Sequence, residues 1–459
     1  MQGLTLKIAE HVTRIANTPR DPTDIEALRR LFLDNFIVSL WGSTRPAAKA
    51  IAGWSRRFAG SGPSPILGGD WTTDPSIAAL VHGTAGHSYE LDDTHDETAS
   101  HPACVIIPAA LAVGCATGAS QADLFRAVTA GYEAMALIGC TAGGMETVHR
   151  GFHPTSVYGA FGAATACVAL HAYRQGASVE RDTVVAAWGH ALSQACASMQ
   201  FSVEPEGGEV KRLHAGLGAR NGVMAADFAM LAAVTAPQLS VEGDYGAAAI
   251  FGGPLREISF DDPLQIHNIS MKPYSCCRLF HSTIDALAEI TNGFSVPLAS
   301  IAEIVISGPR LIAEQHMTPA KSTMTAQYSC PYIVGATLAY GPTRYDVYGE
   351  AYLDDPIIRS VSEKVCFEIS EEIERKYYPR QFATGVTIRF ADGSTRSCIV
   401  ADSVGTPRKP MSREQIIAKS DGLASQGRFL SGEKLATAIW EGKDALALAH
   451  VLTGAKDGL

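Results

Sequence analysis

The chain has 459 residues, of which 46% are hydrophobic and 18% charged, and its formal net charge is −10. This length exceeds what one hydrophobic core usually organises, so we expect two domains. The composition is too apolar for a disordered protein. Because the balance is acidic and no long run of Lys and Arg occurs, we expect neither nucleic acid nor a membrane as a partner.

The N-terminal segment and the cysteines indicate a cytoplasmic protein. The first residues mix charge into an apolar stretch and lack the uninterrupted core of a signal peptide. The most apolar stretches, 127–145 and 155–173, are interrupted by polar residues and Gly, so we interpret them as buried helices. The ten Cys form no C-x-x-C pair, which favours reduced thiols over disulfides or zinc.

The first half of the chain has the periodicity of α-helices. From Ile8 to about Ala248, apolar residues recur at spacings of three and four. The stretch 159–164 consists almost wholly of small residues, which lets helix axes approach closely. Such a helix is expected in the middle of a bundle or at a tight subunit interface.

The character of the sequence changes near Asp261-Asp262-Pro263. Strands are predicted at 301–307, 385–393 and 394–400, the last two as a hairpin around Ala-Asp-Gly, and helices at 283–289 and 330–338. Ser412 and Gln415 have the spacing of a capping box that opens another helix. The predicted fold class is mainly α with an α+β second domain: a helical domain formed by residues 1–265 and 401–459, and a smaller domain formed by 266–400.

The densest polar cluster extends from His87 to His101 and contains three His and five carboxylates. A charged helix end would also be polar, and that interpretation stays open. His101 precedes Pro102, and Pro favours the first helical position, which would place His101 at a helix N-terminus that attracts anions. His153-Pro154 repeats this arrangement.

Two further segments carry cations that could bind an anion. Lys211, Arg212 and His214 lie between glycines, and Lys272 opens the second domain. Surface charge is an equally good interpretation of each segment. In an acidic protein, however, cations gathered near turns suit a carboxylate or phosphate ligand.

Other motifs give weaker signals. Asp92-Asp93-Thr94-His95-Asp96 matches the D-D-x-x-D pattern that holds magnesium in helical terpene synthases, but no second metal motif accompanies it. The spacing of Gly216, Gly218 and Gly222 does not fit a dinucleotide loop. No G-x-S-x-G, P-loop or H-E-x-x-H sequence occurs, which removes the usual hydrolase, kinase and zinc-protease interpretations.

Taken together, these motifs resemble the MmgE/PrpD family over nearly the whole chain. The resemblance is carried by five stretches: Gly83–Thr94 with His101-Pro102, Gly151–Thr155, Lys211–Gly216, Lys272–Cys277 and Gln327–Tyr332. The family contains 2-methylcitrate dehydratase, cis-aconitate decarboxylase and iminodisuccinate epimerase. The resemblance implies a homodimer with an all-helical domain and an α+β lid, and a small polycarboxylate as substrate, without metal or organic cofactor.

The resemblance also implies which residues form the site. The expected catalytic residues are His101, His153, Lys211, Lys272 and Glu90, and the expected substrate-binding residues are Thr94, Tyr328, Asp93, Arg212 and His214. We expect Lys211 and Lys272 to stabilise negative charge and His101 to move a proton at carbon. We expect His153 to bind a substrate carboxylate and Glu90 to orient a neighbouring histidine.

Two departures from the family pattern bear on the activity. Glu90 stands where the family commonly has Asp, and Ala103-Cys104-Val105 replaces the Ser-Asp-Asn of the dehydratase branch. The second departure favours the branch that contains the decarboxylase and the epimerase, and we expect a cis-aconitate decarboxylase-like lyase. A 2-methylcitrate dehydratase and an iminodisuccinate-type epimerase remain alternatives, and so does a dimer that binds a carboxylate without turning it over.

Overall fold

The computed structural model describes residues 3–205, 207–314, 318–378, 380–427 and 429–453. The chain divides into two compact units, the first from residues 1–201, 209–269 and 413–459 and the second from 202–208 and 270–412. By this division the segment 401–412, which we predict in the helical domain, belongs to the second unit. The fold class is confirmed: the protein is mainly α with a small α+β part.

The N-terminal part of the first unit is helical apart from one two-stranded ladder. Its helices are α1 Leu4–Asn17, α2 Pro22–Ser43, α3 Pro46–Ser55, α4 Pro75–Gly86, α5 Ala103–Thr117, α6 Gln121–Ala142, α7 Gly144–His149, α8 Pro154–Arg174, α9 Arg181–Leu192, α10 Val210–Ala229 and α11 Ala247–Phe251. The ladder pairs β1 Ser64–Pro65 with β2 Thr72–Thr73 in antiparallel fashion.

The second unit is built around one four-stranded sheet. Its elements are α12 His281–Ile290, β3 Ile301–Gly308, α13 Arg310–Glu314, α14 Thr323–Tyr328, α15 Cys330–Tyr340, α16 Pro356–Ser362, β4 Val365–Ile369, α17 Glu371–Tyr377, β5 Thr384–Phe390 and β6 Thr395–Val400. The strand order is β4-β3-β5-β6, with β3 and β4 parallel and the other pairs antiparallel. The predicted strands, hairpin and helices are confirmed, and β4 is an additional edge strand.

The C-terminal segment returns to the first unit as three helices. They are α18 Arg413–Gly427, α19 Gly432–Glu441 and α20 Ala445–Thr453. Helix α18 begins directly after Ser412, where the sequence predicts a helix start. The association of this segment with the N-terminal helices brings residues from the two ends of the chain into one unit.

Glycines let α4, α8 and α10 pack at close range. A Cβ atom at Gly83 of α4 would lie 2.8 Å from Cα of Gly216 in α10, and one at Gly222 would lie 2.3 Å from Cβ of Ala163 in α8. Real Cβ atoms do not approach neighbours so closely, so larger residues would push the helices apart. The small-residue face of α8 is therefore packed inside the bundle, and it fixes the position of α10, which carries Lys211, Arg212 and His214.

The apolar helices are part of the packed core. Residues 154–170 of α8 are all buried. No helix among the described residues is both long and apolar enough to cross a membrane. All ten cysteines are free thiols, in agreement with the absence of a C-x-x-C pair.

Candidate active site

The polar cluster predicted from the sequence forms a buried loop between α4 and α5. His87 caps the C-terminus of α4, and its Nδ1 lies 2.7 Å from Oδ2 of Asp92. Glu90 has a φ of 53°, in the left-handed region that a non-glycine residue seldom adopts. Each of these side chains is almost completely buried. Buried polar groups of this kind require partners, and the loop provides them for one another.

His101 lies at the end of this loop with one ring nitrogen bound to the backbone. Its Nδ1 lies 2.7 Å from the carbonyl oxygen of Asp93 and 3.4 Å from Oδ2 of Asp92. Since a carbonyl oxygen only accepts hydrogen bonds, Nδ1 carries the proton, and Nε2 is the basic nitrogen of the neutral ring. Helix α5 begins at Ala103 with Pro102 as its N-cap, one residue later than the sequence predicts.

His153 is the N-cap of α8, with Pro154 at the first helical position as predicted. Its Nδ1 lies 3.1 Å from Nδ1 of His214, so one ring donates and the other accepts. The hydroxyl of Thr155 accepts a hydrogen bond from the backbone N–H of His101 and lies 3.4 Å from Nε2 of His153. This threonine joins the two His-Pro segments, which the sequence predicts only as separate helix openings.

Four histidine rings therefore form one cluster. Ring centroids are 5.0 Å apart between His87 and His101, 5.5 Å between His87 and His153, and 5.2 Å between His153 and His214. Burial lowers the pKa of His87 and of His214 to about 4 and places the pKa of His153 well below its ordinary value. The nearby Lys211 ammonium contributes to the lowering of all three pKa values. These three rings are neutral at pH 7.

The cations of α10 meet the carboxylate of Glu90. The Lys211 ammonium and Nη1 of Arg212 both donate to Oε1 of Glu90, Arg212 at 2.7 Å. Nη1 of Arg212 also reaches the carbonyl oxygen of His87 at 3.4 Å. From the sequence we expect Glu90 to orient a neighbouring histidine; in the structure its carboxylate binds these two cations. Two cations and one carboxylate give this group of side chains a net positive charge.

Asp93 is a second unusual carboxyl. Its Oδ1 accepts from the backbone N–H of Ala103 at 2.9 Å, and its Oδ2 accepts from the hydroxyl of Tyr132 at 3.0 Å. The pKa of Asp93 is raised to about 8, mainly by burial; the negative charges of Asp92 and Asp34 contribute to the rise, and these two hydrogen bonds oppose it. Asp93 therefore holds a proton over most of the neutral range.

Two expected site residues belong to the second unit. Lys272 and Tyr328 lie in stretches that run side by side there: the N–H of Cys277 donates to the carbonyl oxygen of Gln327 at 2.9 Å, and Nε2 of Gln327 donates to the hydroxyl of Ser275 at 3.0 Å. The second unit thus brings together the fourth and fifth motif stretches. The first unit brings together the histidines, Lys211, Arg212, Glu90 and Asp93.

Some polar atoms of the first unit offer unused hydrogen-bonding capacity. Nε2 of His87 and Oγ1 of Thr94 are buried without a hydrogen-bond partner among the residues that the structure describes. A buried polar atom without a hydrogen-bond partner destabilises the folded protein unless a ligand or a water molecule bonds to it. Thr94 was predicted as a substrate-binding residue, and its unsatisfied hydroxyl is consistent with that role.

Sequence reasoning missed four contributors to the site. His87 and Asp92 belong to the polar cluster but were not selected, although their hydrogen bond anchors the cluster. Tyr132 and Phe201 carry no motif; Phe201 contacts the rings of His153 and His214 edge-on at 5.9 and 5.6 Å. For these two residues no signal in a single sequence was available, because Tyr132 lies inside an apolar helix and Phe201 in a short 3-10 helix, Met199–Ser202, without a recognisable motif.

The metal-binding capacity of the cluster is limited. Nδ1 of His87, a carboxylate oxygen of Asp92 and Sγ of Cys104 lie within 4.8 Å of one another, as metal ligands could. The 2.7 Å contact between His87 and Asp92 is, however, an ordinary hydrogen bond. Oδ2 of Asp92 and both carboxylate oxygens of Asp93 bind protein donors, which does not favour the magnesium-binding interpretation of the D-D-x-x-D sequence.

Comparison with known proteins identifies the class to which this fold and site belong. The MmgE/PrpD N-terminal domain model matches residues 6–257, and the MmgE/PrpD C-terminal domain model matches residues 274–439. The chain belongs to the MmgE/PrpD family, which confirms the resemblance seen in the sequence.

Several characterised relatives share a name. A cis-aconitate decarboxylase of Aspergillus terreus is 26% identical over 455 residues, 92% of this chain and 89% of that one. A cis-aconitate decarboxylase-like protein of Aspergillus oryzae is 25% identical over 451 residues, 92% of this chain and 91% of that one. The human cis-aconitate decarboxylase is 26% identical over 416 residues, 88% of this chain and 84% of that one.

Proposed function

We propose that this protein is a lyase of the cis-aconitate decarboxylase type, which acts on a small di- or tricarboxylate by moving a proton at a carbon next to a carboxylate. The observation that carries the proposal is the meeting of three neutral histidines, His101 and the two cations Lys211 and Arg212 in one buried cluster. The names of the relatives indicate the same reaction. We further propose a cytoplasmic homodimer that requires no metal or organic cofactor.

The reaction divides into bond changes that the cluster can support. In the decarboxylation of cis-aconitate, the bond between the CH₂ carbon and its carboxylate breaks and carbon dioxide leaves. The electron pair of that bond forms a new double bond, and the pair of the former double bond takes a proton at the other carbon. One proton donor at carbon is therefore required, together with groups that stabilise the charge that develops on the remaining carboxylates.

His101 has the geometry of the proton donor. The carbonyl oxygen of Asp93 holds its Nδ1, so the proton that moves is carried by Nε2. The carboxylate of Asp92, 3.4 Å from Nδ1, stabilises the ring in its protonated form. General acid catalysis of this kind contributes about 10²- to 10⁴-fold to the rate.

The cations and the remaining histidines have the properties of a carboxylate-binding surface. Lys211 and Arg212 are 2% and 1% exposed, and in such a dry site their charges act strongly on an anion. His153 is neutral; when His214 donates to its Nδ1, the ring proton of His153 is on Nε2, which can donate one hydrogen bond to a substrate carboxylate. From the family resemblance we assign Lys272 and Tyr328 roles toward the same substrate.

Steady-state kinetics with purified protein test this assignment. We expect carbon dioxide release from cis-aconitate in the presence of a chelator, and a loss of at least about 100-fold in kcat for His101→Gln, the lower end of the range for a general acid. Lys272→Ala should lower kcat/KM by a similar factor. Wild-type turnover in both variants would contradict the residue roles.

The alternative activities give different outcomes in the same assay. A dehydratase would interconvert 2-methylcitrate and its alkene without releasing carbon dioxide, and an epimerase would invert a carbon centre of iminodisuccinate. Activity that is lost in chelator and restored by magnesium would contradict the cofactor-independent mechanism. Calorimetric binding of these carboxylates without any conversion would favour the non-catalytic alternative.

A further inference from the structure

A buried ion pair links the C-terminal helices to the loop that carries the site residues. The ammonium of Lys419 in α18 donates to Oδ1 of Asp34 in α2 at 2.6 Å and to the carbonyl oxygen of Leu91 at 3.0 Å. Asp34 and Lys419 are 1% and 3% exposed, and Leu91 is fully buried. Lys419 follows Leu91 by 328 positions in the sequence. No motif of the family resemblance includes Lys419 or Asp34.

Leu91 lies between the two residues on which the site geometry depends most. On one side, Glu90 has a positive φ and binds Lys211 and Arg212. On the other side, Asp92 binds His87. These three consecutive residues are therefore held by three different helices: Glu90 by α10, Leu91 by α18 and Asp92 by the end of α4.

Of the three contacts at Glu90, Leu91 and Asp92, the one at Leu91 is made by a backbone atom. The side-chain bonds of Glu90 and Asp92 leave several torsions free between the side chain and the main chain, whereas a bond to a carbonyl oxygen restricts the peptide plane itself. The same short segment continues to Asp93, whose carbonyl oxygen sets the tautomer of His101. A changed orientation of the Leu91 peptide plane would displace the Asp93 carbonyl oxygen, which lies only two residues further along the chain.

We propose that Lys419 is a positioning residue for the reaction: by binding the carbonyl oxygen of Leu91 it holds the loop 90–93 in the conformation that orients Asp92, Asp93 and His101. Asp34 fixes the ammonium and balances its charge. The C-terminal segment is thus part of the support of the active site as well as of the helical core. The inference rests on the proposed function only for the identity of the reaction; the positioning of the loop by Lys419 does not depend on it.

The buried charges require a matched set of variants. Lys419→Met alone would leave the carboxylate of Asp34 buried without its cation, and a single unpaired buried charge destabilises a protein strongly. The double variant Asp34→Asn/Lys419→Met removes both charges while it keeps side chains of similar size. Lys364→Met is the control, because Lys364 belongs to the second unit, where it likewise donates to backbone carbonyl oxygens, those of Leu298 and Ile301.

Three readouts separate positioning from general stability. For the double variant we expect a urea midpoint close to wild type, a kcat lowered at least 10-fold, and a KM changed less than 3-fold. The single variant Lys419→Arg keeps a cation that can donate hydrogen bonds. Its kcat should therefore lie much closer to wild type than the kcat of the double variant. Lys364→Met should leave kcat unchanged. A folded double variant with wild-type kcat would overturn the proposal. A higher KM with unchanged kcat would overturn it as well.

A spectroscopic measurement tests the proposal independently of turnover. In protein labelled with ¹⁵N at histidine, the ring signals of His87 and His101, assigned with the His101→Gln variant, report their hydrogen bonds to Asp92 and to the Asp93 carbonyl. We expect both signals to shift in Asp34→Asn/Lys419→Met and not in Lys364→Met. If the protein turned over no polycarboxylate, this shift would still support the positioning role; unchanged signals would overturn it whatever the activity.

Discussion

Nδ1 of His101 donates to the backbone carbonyl oxygen of Asp93 at a distance of 2.7 Å, and this bond leaves Nε2 as the basic nitrogen of the neutral ring. Because the acceptor is a backbone atom, its position is set by the conformation of the main chain. The loop that supplies the carbonyl is itself held at Glu90, Leu91 and Asp92. The proton-carrying role that we propose for His101 thus depends on the conformation of the whole loop.

The first prediction concerns His101. Gln at this position can still donate a hydrogen bond to the Asp93 carbonyl but cannot transfer a proton. We expect kcat to fall by about 10²- to 10⁴-fold, with a smaller change in KM. His149→Gln, at an exposed position, is the control and should retain wild-type kcat. Stopped assays on cis-aconitate measure both constants, and an unchanged kcat in His101→Gln would show that another group carries the proton.

The second prediction concerns the charge of Glu90. Glu90→Gln leaves Lys211 and Arg212 buried without their shared carboxylate, and breaking a buried pair of this kind costs about 3–5 kcal/mol. Glu90→Asp keeps the charge and shortens the side chain by one methylene, so its loss should be smaller. Urea unfolding measures the free energy of both variants. Equal stability of Glu90→Gln and wild type would contradict the role of the carboxylate as the counter-charge of α10.

The third prediction concerns the protons taken up when a ligand binds. Burial, together with the neighbouring histidines and Lys211, holds the pKa of His153 well below its ordinary value. A bound polycarboxylate adds negative charge beside the ring, favours the protonated form and raises the pKa. Titration calorimetry with propane-1,2,3-tricarboxylate at pH 7, in two buffers of different ionisation enthalpy, should therefore show proton uptake. His153→Gln should take up fewer protons, and equal uptake by both proteins would contradict this assignment.

The fourth prediction concerns the pH dependence of stability at a histidine outside the cluster. Burial lowers the pKa of His82 to about 4, and its Nε2 accepts from the N–H of Leu67 at 2.9 Å. The native state thus resists protonation, whereas the unfolded chain binds a proton below its ordinary pKa of about 6.5. As the pH falls from 7 to 5, His82 should therefore lower the free energy of unfolding by about 2 kcal/mol.

Urea unfolding at the two pH values tests this sign. His82→Gln removes the titrating group, so its free energy of unfolding should fall less from pH 7 to pH 5 than that of wild type. His149→Gln replaces an exposed histidine and should keep the wild-type pH dependence. A wild-type pH dependence in His82→Gln would mean that His82 is not held neutral in the native state.

The sequence predicted the parts of the site that form local patterns. Each His-Pro segment, and the segment of cations between glycines, is a pattern of a few consecutive residues; of the two helix openings, the one at His153-Pro154 begins where predicted and the other one residue later. The helical periodicity likewise predicted the fold class, and alternation predicted the strands β3, β5 and β6. These features depend on local propensity and spacing, which a single sequence contains.

The remaining features depend on contacts between distant segments. Lys419 reaches Leu91 across most of the chain, and Tyr132 reaches Asp93 from the middle of an apolar helix. The pairing of Glu90 with Lys211 and Arg212 requires α4 and α10 to lie at the close distance that Gly83 and Gly216 permit. The edge strand β4 is only five residues long and has no strict alternation, so its parallel pairing with β3 is a tertiary effect.

The most direct test of the proposed function is proton NMR in D₂O of the purified protein with cis-aconitate, 2-methylcitrate and iminodisuccinate in turn, without added metal. If the proposed decarboxylation is correct, cis-aconitate is converted: one carboxylate is lost as carbon dioxide, and deuterium appears at a single carbon of the product. Conversion of cis-aconitate without deuterium at carbon, or no conversion of any of the three by folded protein, would contradict it.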